Sequence, residues 1–143
     1  MKSYWLVFTA VLILWGSVVM AERLAVAVPQ ANIRSGPGTT YEIIWNAEKY
    51  HPVFVFEKTG SWYHFRDFEG DEGWIHKSIV RNIPSIITAK PKCNVRSGPG
   101  TQHEILFSVE SGVPFKVIKR QGNWVYVEHR DGDKGWIHNS LIW

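Results

Sequence analysis

The chain has 143 residues, a formal net charge of +3, 14% aromatic residues and one cysteine. Its Lys and Arg are interspersed with Asp and Glu, which describes a solvated surface and excludes the clustered basic stripe that nucleic acid requires. The lone Cys93 excludes an internal disulfide.

In chain order, Lys2 precedes an apolar run from Trp5 to Trp15, which Gly16 and Ser17 break and Val19-Met20-Ala21 ends. A basic start, a short apolar centre and a small-residue end describe a secretory signal peptide. The run falls short of the about 20 apolar residues of a spanning helix unless it borrows Ser17 to Ala21. Cleavage after Ala21 is expected, with an uncleaved anchor as the rival. The mature chain then starts near Glu22 without a membrane span, and losing Lys2 lowers the charge from +3 to +2.

A strand is expected to lead into Asn32-Ile33-Arg34, followed by a turn on Gly36-Pro37-Gly38. Pro presets φ at the first turn position, and Gly38 is expected to supply positive φ at the next. Val53–Glu57 and Trp62–Phe65 read as short strands, rich in β-branched and aromatic residues, joined by a turn at Gly60. Glu69-Gly70-Asp71 makes another turn before Trp74-Ile75. Arg81-Asn82-Ile83-Pro84 is a short joint, which predicts two units held in a fixed orientation.

Beyond the joint the pattern returns at an offset of 62. Asn94-Val95-Arg96-Ser97-Gly98-Pro99-Gly100-Thr101 repeats residues 32–39, Gly122-x-Trp124 repeats Gly60-x-Trp62, and Gly135-Trp136-Ile137-His138-x-Ser140 repeats residues 73–78. Between 32–81 and 94–143, about 21 of 50 positions are identical without a gap, which is a duplicated domain. No sustained helical period occurs beyond the N-terminal segment. The expected fold is all-β: two tandem copies of a small sandwich or barrel, at 22–83 and 84–143, after a signal peptide.

Most motifs have a structural explanation. The Gly-Pro-Gly loops lack the helix start and Lys of a phosphate cradle. Arg34 and Arg96 could grip an acidic ligand, but their fixed distance from the turn favours loop carbonyls or a neighbouring ring. His51, His64, His76, His103, His129 and His138 show no metal-ligand spacing. The acidic turn Asp67, Glu69, Asp71, Glu72 cannot supply the six to eight oxygens calcium takes. Cys93 stands where the first copy has Ala31, and it reads as a small buried hydrophobe rather than a nucleophile. No cofactor, metal or catalytic residue is expected.

The pieces N-[VI]-R-S-G-P-G-T, G-x-W and G-W-I, each present twice and in order, resemble the bacterial SH3 family, the exported relatives of eukaryotic signalling SH3 domains. The resemblance implies two tandem SH3-like five-stranded small barrels, strongly bent, in the cell envelope, that bind rather than cleave. It implies peptidoglycan or its stem peptide as ligand, or else an envelope protein for which the chain is a periplasmic scaffold. In eukaryotic SH3 domains the first Trp of the central strand lines the groove, which points to Trp62 and Trp124. His76 and His138 replace the Pro of the closing segment, Ile79 and Leu141 replace a groove Tyr, and Asn32 to Ser35 replace the N-terminal tyrosines. An aromatic-lined groove for a proline helix is therefore not expected. Candidate ligand-binding residues are Trp62 with Tyr41 and His76, and Trp124 with His103 and His138. Packing alone also accounts for each of these rings.

Overall fold

The computed structural model describes residues 21–143; the apolar run expected to form the signal peptide lies outside the described residues. Within them, regular structure is antiparallel strand plus two short 3₁₀ turns. The first unit comprises β1 (Glu22–Val26), β2 (Gln30–Arg34), β3 (Ile43–Glu48), β4 (Pro52–Thr59), β5 (Trp62–Arg66), β6 (Glu72–His76) and β7 (Val80–Arg81). The second comprises β8 (Ser85–Ile87), β9 (Cys93–Arg96), β10 (Ile105–Val109), β11 (Pro114–Gln121), β12 (Trp124–Glu128) and β13 (Lys134–His138). No helix among the described residues is long and apolar enough to cross a membrane.

Each unit is one bent sheet, ordered β3-β2-β6-β5-β4-β1-β7 and β10-β9-β13-β12-β11-β8. The ladders are open, so the expected barrel is a strongly curved sheet rather than a closed ring of hydrogen bonds. Five strands repeat as expected, β2–β6 and β9–β13, and a further leading strand, β1 or β8, covers the free side of β4 or β11. The short β7 that pairs with Val26 is reduced in the second unit to one bridge, Thr88 with Ile142.

The period of two sorts the side chains. On β2, Ala31 and Ile33 are buried while Gln30 and Asn32 face out. The two cores follow the duplication: Ile33, Val53, Phe65 and Ile75 in the first unit, Val95, Phe115, Val127 and Ile137 in the second. Cys93, the equivalent of Ala31, is fully buried. Its S–H points to the Lys90 carbonyl at 3.5 Å, and burial pushes the thiol pKa up, which suits a small hydrophobe.

The turns differ from expectation in one respect. Gly38 and Gly100 do not have positive φ; among the described residues the glycines that do are Gly60, Gly70, Gly112, Gly122 and Gly132. The Gly-Pro-Gly loop needs glycine for space instead. A Cβ on Gly36 would overlap the Tyr41 ring, and one on Gly98 would lie 2.6 Å from the His103 ring. The acidic turn is closed from within, because the Asp67 carboxylate accepts the backbone N–H groups of Glu69 at 2.9 Å and Asp71 at 3.0 Å.

The units are bracketed together. The Arg23 guanidinium on β1 donates to the Ser85 carbonyl at 3.1 Å and the Trp143 carbonyl at 2.9 Å, and lies 4.3 Å from the Trp143 ring centre. Val117 N–H donates to the Pro84 carbonyl at 2.8 Å, so the joint itself is tied to the second sheet.

Candidate functional site

The β5–β6 register sets Trp62 directly opposite His76, and the β12–β13 register sets Trp124 opposite His138. The rings meet edge to face, at 5.2 Å and 5.1 Å between centres. Each Trp is partly buried and stands outside the apolar cluster of its own unit. Phe65, three residues farther along the strand and on its opposite, inward face, is fully buried.

Each histidine is fixed by its own 3₁₀ turn. His76 Nδ1 accepts the Ser78 backbone N–H at 3.1 Å and lies 2.7 Å from the Ser78 hydroxyl. His138 and Ser140 repeat this at 3.2 Å and 2.7 Å. A ring whose Nδ1 accepts carries its neutral-form proton on Nε2, so the groove wall has an imidazole donor beside the indole.

A depression opens on each Trp–His pair. In the first unit it measures about 390 Å³ and is lined by Val28, Gln30, Asn32, Arg34, Thr39, Trp62, His76 and Ile79. In the second it measures about 130 Å³, and its walls are Asn94, Arg96, Thr101, Trp124, His138 and Leu141. All six second-unit positions are the 62-residue counterparts of first-unit ones. The larger groove falls in the range of ligand pockets, about 300–1,000 Å³, and the smaller falls below it. Val28 and Gln30 enlarge the first groove; their counterparts Lys90 and Lys92 are exposed and lie outside the second.

Arg34 and Arg96 shape these grooves from below. Arg34 donates to the carbonyls of Thr39 at 3.0 Å and Tyr41 at 2.9 Å, and Arg96 donates to those of Thr101 and His103, both at 3.0 Å. The guanidinium therefore holds the Gly-Pro-Gly loop in place, one of the two roles its spacing allowed.

Of the sequence-derived candidates, the structure brings Trp62 to His76 and Trp124 to His138. It does not bring Tyr41 or His103 into the groove lining. Tyr41 is 46% exposed and lies over Gly36, and His103 lies over Gly98 in the same manner. Each is tied to the groove wall only through its backbone carbonyl, which accepts from Arg34 or Arg96. Sequence reasoning did not single out Asn32, Thr39 or Gln30. Asn32 and Thr39 carried a signal, being identical to Asn94 and Thr101 across the repeat; Gln30 carried none. No group of three or more His, Cys, Asp or Glu among the described residues is placed to hold a metal ion.

The family model described as "Bacterial SH3 domain" matches residues 27–82 and again residues 89–143. A Bacillus subtilis protein named as an N-acetylmuramoyl-L-alanine amidase, YrvJ, is 25% identical over 96% of this chain and 29% of its own length. The Staphylococcus epidermidis protein named as the cell wall amidase LytH is 35% identical over 38% of this chain and 20% of its own. The chain thus spans less than a third of these curated relatives. Among solved structures, a Bacillus cereus NlpC/P60 family protein shares 15% identity at a TM-score of 0.40, covering 85% of this chain and 56% of its own. NlpC2 of Trichomonas vaginalis shares 14% identity at a TM-score of 0.38, over 89% and 49%.

Proposed function

We propose, from the premise that this chain belongs to the bacterial SH3 domain family, that it is a non-enzymatic cell-envelope module that binds peptidoglycan through its Trp–His grooves. One observation carries the reading. The same six groove positions, Asn, Arg, Thr, Trp, His and an aliphatic residue, recur in both units around an indole that the core does not use. An aromatic face with a few fixed polar groups is the usual make-up of a small-ligand site. Arg34 is committed to loop carbonyls, so the groove recognises polar and neutral groups rather than a bare anion. The amidase names of its relatives favour the cell wall as the setting. Cys93 is fully buried with its thiol pKa raised, which speaks against cysteine-based cleavage and supports binding.

The test is retention of the mature chain on purified sacculi, whole and stripped of peptide, beside Trp62→Ala and Trp124→Ala. Retention of wild type and its loss in Trp62→Ala is the expected result. No retention of wild type overturns it and leaves a periplasmic protein-docking scaffold as the function. Export is part of the proposal: mass spectrometry of the envelope fraction is expected to find Glu22 as the first residue, and an intact Met1 there would indicate an anchor.

A further inference from the structure

Two depressions meet on the outer face of β2. Beside the Trp62 groove, a cleft of about 280 Å³ opens between the units, lined by Pro29, Gln30, Asn46, Ala47 and Glu48 of the first and Arg130 of the second. Gln30 lines both. The register makes them continuous, because Gln30 stands opposite Glu48 and Asn32 opposite Asn46, and opposed residues share a sheet face. A polar strip therefore runs from the Trp62–His76 wall, over the amides of Asn32, Asn46 and Gln30, to Glu48 and Arg130.

The far end of the strip carries both signs of charge. Arg130 Nε lies 3.9 Å from Glu48 Oε2, with the side chains 44% and 49% exposed. At that distance the pair is loose, and the guanidinium fork and the carboxylate lone pairs stay open to a further partner. A group with one carboxylate and one ammonium satisfies both. The strip also has the dimensions of a peptide. From Gln30 to Arg34, β2 runs roughly 13 Å at about 3.3 Å per residue, the reach of about four extended residues. Amides recurring at every second position can donate to and accept from an extended backbone, whose own groups repeat at that interval. The second unit lacks the arrangement: Lys92 replaces Gln30, and Ser108, in place of Asn46, spends its hydroxyl on Asn94 Oδ1 at 2.7 Å.

We propose that groove and cleft form one site for a short extended peptide whose far end is a zwitterionic amino-acid group, its carboxylate on Arg130 and its ammonium on Glu48. The proposal deepens the wall-binding reading and rests on it for the occupant of the Trp62 groove. The test is calorimetric titration of the mature chain with two synthetic muramyl tripeptides. One carries diaminopimelate at its third position, whose side chain ends in ammonium and carboxylate; the other carries lysine, which ends in ammonium alone. The expected result is at least tenfold tighter binding of the first. Arg130→Gln, at an exposed position whose melting curve serves as the fold control, is expected to bring the first peptide down to the affinity of the second. Equal affinities in wild type, a preference that survives Arg130→Gln, or no binding of either peptide each overturns the proposal. If the chain is still retained on sacculi in that last case, the wall-binding reading stands and only the peptide site falls; if it is not, both fall.

Discussion

Trp62→Ala separates a groove wall from a core side chain. A buried Trp covers about 150–250 Å², but Trp62 is partly exposed and stands outside the apolar cluster. Losing roughly 100 Å² of apolar contact at about 25 cal/mol per Å² costs about 2.5 kcal/mol, to which the edge contact with His76 belongs. Total stability for a domain is about 5–15 kcal/mol, so the variant stays folded at 25 °C. Its melting point drops by about 10 °C, at about 4 °C per kcal/mol for units of this size. Phe65→Ala is the contrast, because Phe65 is fully buried and meets Trp45 edge to face at 6.0 Å. Truncation there costs about 3–5 kcal/mol, enough to unfold a marginal sheet. Affinity for sacculi is expected to fall at least about 30-fold in folded Trp62→Ala, the effect of a hot-spot aromatic at about 2 kcal/mol. Circular dichroism melts and a retention isotherm read both quantities. The reasoning fails if Trp62→Ala loses its strand signal at 25 °C as Phe65→Ala does, or if it stays folded with unchanged retention.

Three further predictions follow from local geometry. Gly36→Ala must displace the Tyr41 ring, whereas Gly60→Ala meets no atom but is strained at φ 60°; each is expected to cost about 1 kcal/mol in chemical denaturation, and an unchanged midpoint in either case would refute the assignment. His51 is pushed below the usual imidazole pKa by burial, against the pull of Asp67 and Glu48, and its Nε2 has no hydrogen-bond partner. The unfolded chain then binds the extra proton first, so stability present above the unfolded value of about 6.5 declines as pH falls below it; His51→Phe should flatten the melting-point change between pH 7 and 5 relative to wild type, and equal slopes would count against it. Arg23→Ala removes the bracket onto Ser85 and Trp143 and should broaden or split the calorimetric transition, while an identical trace would mean the units couple by other contacts.

The repeat made much of the fold legible. Once Gly60-x-Trp62 and Gly73-Trp74-Ile75-His76 were seen twice, β5, β6, β12 and β13 followed, and with them the Trp–His pairing, since Trp62 and His76 stand at equal distances on either side of the turn at Glu69. β1 was hidden because Glu22 and Arg23 put two charges at its start, and β3 because its Ile43-Ile44-Trp45 run breaks the alternation of a half-buried strand. The turn at Gly38 was misjudged because Pro-Gly suits a type II turn locally, while the fold uses the glycines to admit a ring, a contact made by chain seven residues away from Arg34. That folding back also carries Tyr41 out of the groove. Gln30 and Arg130 were illegible for a different reason. Their meeting depends on how two sheets dock 100 residues apart, which no local pattern encodes.

The outermost strands have a consequence for the behaviour of the protein at high concentration. β3 and β10 are free edges, and they carry exposed Ile43 and Ile44 in one unit and Ile105 and Leu106 in the other. A bare edge with apolar side chains is a template for pairing with another chain. A β-bulge interrupts both edges at that point, between Ile33 and Arg34 opposite β3 and between Ile105 and Phe107 on β10, and so breaks the straight ladder a neighbour would extend. Duplication doubled the stakes. A single unit has one adhesive edge and can at worst close into a dimer, whereas a chain with two can pass the contact onward and grow into an open filament. The paired bulges thus oppose filament growth by a two-edged molecule.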